Sequence, residues 1–196
     1  MFIYHSQIAQ IKDLVARGKI GDVRLIKASF GFPMRAANDF RYNKALGGGA
    51  LLDAGGYTLK LATSFLGDTV RVTTAQMNYL EGFEVDMYGS ASLVNDSGLV
   101  CQVSYGMDNA YRCSLEIWGS TARLTTNRIF TAPENYEPVV FIENNDGRQE
   151  IKLSKDSHFS HSIEAFLNEI GDASSRDKMY NEITLQAGLV EALRKS

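Results

Sequence analysis

Two cysteines, three histidines and one tryptophan in 196 residues leave few options for metal or thiol chemistry. Cys101 and Cys113 lack CxxC spacing and have no histidine cluster beside them, so two buried, reduced thiols are expected rather than a disulfide. His158 and His161 stand at i, i+3, but no carboxylate or thiolate set completes a metal site, and a capping or surface role is expected. No Ser-His-Asp arrangement is legible. Basic residues are also short: 20 Lys and Arg face 23 Asp and Glu, a net charge of −3, and they are scattered. That argues against the basic face of a nucleic-acid binder and the basic run of a membrane-surface protein. No segment approaches the ~18 apolar residues of a membrane span. MFIYHSQ has neither the positive segment nor the apolar run of a signal peptide. The expectation is a cytoplasmic protein without metal, nucleic-acid or membrane partners.

The composition that remains, 44% hydrophobic and 22% charged, is that of an ordinary globular protein, and the length suits a single domain over residues 1–196. His5 to Gly18 reads as a helix with Ile8, Ile11, Leu14 and Val15 on one face. A strand over 23–32 follows, then a polar loop containing Arg35, Asp39, Arg41, Tyr42 and Lys44. Ala50 to Leu66 reads as a second helix with Leu51, Leu52, Leu59, Ala62, Phe65 and Leu66 as its apolar stripe. Strands are expected over 70–80, 83–94, 99–107, 112–118, 122–128, 139–144 and 149–153, with turns at NDSG, NNDG and MDNAY. Their alternation puts Phe83, Val85, Met87, Ala91 and Leu93 on an apolar face, and Glu84, Asp86, Tyr88 and Trp118 on a polar one. Helices at 160–170 and 182–193 close the chain, with DASSRDK between them. The fold class is α+β: a large, mostly antiparallel sheet with helices on one face. The open face, dotted with aromatics, is expected to pair with a second copy.

The stretch GGGALLDAGGYTLK carries the candidate chemistry. Asp53, Tyr57 and Lys60 fall at i, i+4 and i+7, one stripe of a helix away from its leucines. A carboxylate, a phenol and an ammonium in a row can hand a proton to or from a substrate oxygen; a solvated helix face would show the same spacing. Gly55 and Gly56 sit mid-helix, where each glycine costs roughly 0.8–1 kcal/mol against alanine. Missing side chains allow a backbone or a flat ligand to come close. The triple glycine lacks the GxGxxG and GxxxxGK patterns of nucleotide loops. Arg35 and Arg41, in the loop before it, have the chemistry to clamp an anionic or hydroxyl-rich substrate.

GKIGDVRLIKASF followed by DFRYNKALGGGALLDAGGYTLKLATSFLG resembles the C-terminal domain of the glucose–fructose oxidoreductase / inositol dehydrogenase (Gfo/Idh/MocA) family. There a G-x-I-G-x-[VL] strand entry, a W/F-R loop and a GGGaLlDxGxH helix occur in this order, and the resemblance spans essentially the whole chain. It implies a substrate-binding and oligomerisation domain of an NAD(P)-dependent oxidoreductase acting on a sugar, sugar nucleotide or cyclitol. It implies that Tyr57 is the acid/base and Asp53 its orienting carboxylate. Arg41, Tyr42 and Lys60 become pocket residues, and Gly55 and Gly56 the place where the helix approaches the nicotinamide of NAD or NADP. The chain departs from the common D-x-G-x-H form at Tyr57. It shows no Rossmann strand-GxGxxG-helix and no ExKP lysine, so alone it is expected to be inactive, with a separate Rossmann-domain polypeptide or a longer parent completing it. The alternatives are a non-catalytic carbohydrate-binding or dimerisation module, and an inactive fragment whose sheet dimerises.

Overall fold

The computed structural model describes residues 1–195. Its strands form an eight-stranded sheet in the order β2-β3-β4-β1-β5-β6-β7-β8, and four α-helices complete the α+β fold. In chain order these are α1 (Ser6–Ala16), β1 (Val23–Gly31), α2 (Gly56–Leu66), β2 (Arg71–Tyr79), β3 (Asp86–Val94), β4 (Val100–Gly106), β5 (Arg112–Gly119), β6 (Arg123–Asn127), β7 (Val139–Asn144), β8 (Gly147–Lys152), α3 (His158–Ile170) and α4 (Ala173–Lys195). The backbone divides into two compact units: residues 25–113 with the chain from Gln186 onward, and residues 1–24 with 114–185.

The first unit holds β1 to β4 and α2. The expected alternation buries Met87, Ala91, Leu93, Cys101, Val103 and Tyr105, and β1 adds Ile26, Ala28 and Phe30. Each such large apolar side chain stabilises by about 1.5–3 kcal/mol when fully buried. The NDSG turn forms as expected: Asn95 Oδ1 accepts from the Leu99 N–H at 3.0 Å, and Gly98 takes φ +82°. MDNAY is not a hairpin. β4 instead pairs in parallel with β1, Leu25 opposite Val100 and Gly31 opposite Gly106, and the Asn109 N–H donates to Phe32 O. Leu52, expected in the apolar stripe, is exposed. Asp86, expected on the polar face, is only 8% exposed.

In the second unit, α1 begins one residue after the expected start, with His5 as its cap. His5 Nδ1 accepts from the Gln7 N–H at 3.1 Å, and Ile8 and Ile11 are buried. β5 to β8 form an antiparallel meander that buries Leu115, Ile117, Leu124, Val140 and Ile142. DASSRDK does not separate the two helices as expected; most of it is the start of the second. Asp172 caps a helix there, its carboxylate accepting from the Ser174 N–H and the Ser175 hydroxyl, so α4 starts at Ala173. Both cysteines are buried free thiols, and burial pushes Cys101 up to about 12.

Candidate active site

The helix expected over 50–66 is regular only from Gly56. Its first turn, Leu51–Gly55, is a π-helix, a wide turn that often marks functional sites. Three neighbours shape that turn. Gly48 lies so close to Arg41 that a Cβ would meet the Arg41 carbonyl oxygen at 2.3 Å. Gly49 adopts φ +121°, and a Cβ there would meet Asp86 Oδ1 at 2.4 Å. The Asp86 carboxylate accepts from the Leu51 N–H at 2.7 Å. The triple glycine therefore lets the loop and β3 close on the start of the turn.

Gly55 has a packing reason of its own. It is buried, and a Cβ would stand 3.0 Å from Leu51 Cδ1 and 3.3 Å from the Tyr105 ring. Tyr105 cannot retreat, because its hydroxyl already fills the space above Gly89, where a Cβ would lie 2.5 Å away. Gly56 differs: nothing lies within 4 Å of where its Cβ would be. Its carbonyl accepts from Gln186 Nε2 at 2.9 Å, so the last stretch of α4 grips the same helix.

The structure joins two of the candidate residues directly. Arg41 Nε donates to Asp53 Oδ2 at 2.8 Å, and Arg41 Nη1 donates to Asp39 Oδ1 at 3.1 Å. Its guanidinium also lies over the Phe40 ring, 4.6 Å from the centroid. Burial opposes the Arg41 charge, but the bonds to Asp53 and Asp39 outweigh it and hold its pKa above the ordinary value. Asp39 is held low, first by the Arg41 backbone N–H and then by the Arg41 side chain. Tyr57 is half-buried on α2, edge-on to Phe30 with centroids 5.2 Å apart, and Lys60 is half-buried one turn on. Tyr42 braces the loop: its hydroxyl accepts from the Arg35 N–H at 2.7 Å and its ring packs edge-on against Phe83. A cleft of about 350 Å³ opens beside it, lined by Asp39, Phe40, Tyr42, Asn43, Leu46 and Glu84 among others.

Sequence reasoning missed two carboxylates here. Asp39 could have been found from DFR, an aspartate two residues before the arginine at the mouth of a short turn. Asp86 was hidden by strict alternation, because the strand begins at that residue and the preceding loop does not keep the period. Burial raises its pKa, and the Leu51 N–H opposes that rise.

The site thus sets a glycine-rich helix that presents a carboxylate and a tyrosine against a large sheet. The chain belongs to the Gfo/Idh/MocA family: residues 8–125 match the GFO/IDH/MocA C-terminal domain. It is 37% identical over 194 residues to the dTDP-3,4-didehydro-2,6-dideoxy-alpha-D-glucose 3-reductase of Actinomadura kijaniata, covering 99% of this chain and 58% of that protein. The reductase of the same description from Streptomyces violaceoruber is 37% identical over 205 residues, covering 100% of this chain and 60% of the relative. Among solved structures, a 3-ketoreductase from Actinomadura kijaniata in complex with NADP and TDP-benzene superposes with a TM-score of 0.92 at 37% identity, over 100% of this chain and 60% of that one. The chain thus spans about three-fifths of the length of these relatives. Among the described residues, no helix is long and apolar enough to cross a membrane.

Proposed function

We propose that this chain is the substrate-binding part of an NADP-dependent reductase that acts on the 3-keto group of a nucleotide-linked deoxysugar. The observation that carries the reading is the Arg41–Asp53 bond at the π-turn, with Tyr57 on the helix that turn opens, in a chain 37% identical to two sugar-nucleotide 3-reductases.

In this reading Tyr57 donates its hydroxyl proton to the ketone oxygen as the carbon is reduced, and recovers it from solvent afterwards. Phe30, edge-on to the Tyr57 ring, limits the directions the hydroxyl can take. Arg41, paired on two sides by Asp39 and Asp53, is held rigid. Its fork fixes the Asp53 carboxylate, which is left one oxygen with which to orient a sugar hydroxyl. Tyr42 and the cleft beside it are the sugar-nucleotide side of the pocket, and Lys60 supplies a cation further along α2. Bound NADPH supplies the hydride. The residues fit that role at one point: the open space over Gly56 leaves room for a flat ring against the helix. The phosphates of the dinucleotide need a glycine-rich loop at a helix N-terminus, which belongs to a further portion of the protein.

The same reading includes assembly through the open sheet face. Tyr79 and Tyr88 are exposed in one unit and Trp118 in the other, a type of residue enriched at interfaces. The test is NADPH oxidation by the complete polypeptide with a TDP-linked 3-ketosugar, wild type against Tyr57→Phe. Equal turnover in the two sinks the assignment, and no turnover with any TDP-ketosugar sinks the substrate class.

A further inference from the structure

Glycine leaves the backbone freer than any other residue does. Gly55 and Gly56 stand side by side directly before Tyr57, where the π-turn passes into α2. Gly55 is wedged against Leu51 and Tyr105, but nothing lies within 4 Å of where a Gly56 Cβ would be. The tyrosine that follows is carried by that backbone. Misplacing a reacting group by about 1 Å can slow a reaction on the order of 10²-fold, so the peptide group that bears Tyr57 needs a hold from elsewhere.

The hold comes from 130 positions away. Gln186 Nε2 donates to the Gly56 carbonyl at 2.9 Å, and that carbonyl belongs to the peptide group joined to Tyr57. Gln186 is itself anchored. From this residue onward α4 belongs to the same compact unit as α2. Leu189 and Leu193 follow at i+3 and i+7 on one face of the helix, only 4% and 1% exposed. The side chain keeps its bond against a penalty: its Oε1 is buried without a partner, and an acceptor left so is unfavourable. The same stretch of α4 also serves the other end of the π-turn. Arg194 lies close enough to Asp86 to favour its charged form, and Asp86 accepts from the Leu51 N–H at 2.7 Å.

We infer that Gln186 is a positioning residue for the reaction: by holding the Gly56 carbonyl it fixes the peptide group from which Tyr57 reaches the substrate. This rests on the reading above, in which Tyr57 gives its proton to the ketone.

The test compares the complete reductase with its Gln186→Leu and Gln186→Glu variants, at a pH where the glutamate is ionised. Leucine keeps the bulk and glutamate the shape, and neither donates a hydrogen bond to Gly56. With a TDP-linked 3-ketosugar, kcat is expected to fall about tenfold or more in both, with KM within about twofold. The primary isotope effect from NADPH deuterated at the transferred position is expected to rise. A mere loss of folded enzyme lowers kcat and leaves that isotope effect alone. Amide exchange at residues 56–60 is expected to quicken about fivefold or more in both variants, with 86–106 unchanged. Wild-type kcat in either variant, a loss confined to KM, or a lower kcat with an unchanged isotope effect overturns the inference. If the wild type reduces no TDP-linked ketosugar, the functional reading falls by itself and amide exchange decides the hold on Gly56: faster exchange upholds it, unchanged exchange overturns it as well.

Discussion

Arg41 Nε donates to Asp53 Oδ2 at 2.8 Å, and the Arg41 backbone carbonyl accepts from the Gly49 N–H at 2.9 Å. One residue therefore ties the loop to the π-turn twice, through its main chain and its side chain. Arg41→Lys keeps the charge but loses the planar fork that serves Asp39 and Asp53 together. In the complete enzyme, kcat/KM is expected to fall by about ten- to a hundredfold, roughly 1.4–2.7 kcal/mol. Steady-state kinetics check this, and a lysine variant with wild-type kcat/KM removes the pairing from the mechanism.

Tyr57→Phe removes only a hydroxyl. A positioned general acid contributes typically about 10²–10⁴-fold, so kcat is expected to drop by at least ~100-fold while substrate affinity changes little. Single-turnover measurements separate the two, and a loss confined to KM assigns Tyr57 to binding instead.

The two adjacent glycines are expected to respond differently. Gly55→Ala has an acceptable backbone, φ −63°, but no room beside Leu51 and Tyr105, so a loss of about 1–3 kcal/mol in urea unfolding is expected. Gly56→Leu meets open space, keeps the fold and blocks the approach of a flat ligand, so stability holds while activity falls. An active Gly56→Leu enzyme dismisses the proposed nicotinamide approach at this glycine.

Asp86→Ala leaves the buried Leu51 N–H without its acceptor. The expected cost is about 1–3 kcal/mol, read from a urea midpoint, whereas Asp86→Asn keeps an acceptor oxygen and costs less. If both variants unfold alike, the bond to Leu51 is not what fixes the π-turn.

All three histidines gather in one unit, around Asp156, whose carboxylate accepts from the Ser6 N–H and lies 3.3 Å from His161. Burial holds His5 and His158 below the ordinary histidine value. The unfolded chain, with histidines near pKa ~6.5, takes up protons first as the pH falls. Stability present above that value is therefore lost as pH drops through the lower folded values. Burial also works against the Asp156 carboxylate, but the Ser6 and Ser157 N–H groups outweigh it and hold its pKa low, so Asp156 adds a loss of the same sign at lower pH. Urea midpoints at pH 8 and pH 5.5 should differ, and His158→Gln should shrink the difference. A flat profile removes the histidines from the account.

Periodicity made most of the fold legible, because the strands of both units bury one face and alternate. It reached β7 to the residue and most other elements to within three. It failed where long-range contacts decide. The parallel placement of β1 beside β4 leaves no local signal, so MDNAY read as a hairpin. Asp172 was not read as a helix cap, so the first turns of α4 were placed between the two helices. In the site, the motif around GGGALLDAGG located Arg41 and Asp53 before their bond was visible. Asp86 and the Tyr105–Gly55 contact join residues 35 and 50 positions apart, and only the folded chain brings them together.

β1 can find its place only late. Its partner begins at Val100, opposite Leu25, so while the chain is being made β1 waits for some 75 residues with an unpaired edge. Closing so long a loop is slow compared with forming the β3–β4 hairpin. Pulse-labelled hydrogen exchange should accordingly protect residues 86–106 before 23–31. During that interval an exposed strand containing Leu25, Ile26 and Phe30 is the chain's point of greatest exposure to wrong partners, and a chaperone that recognises extended apolar segments would meet the nascent protein there.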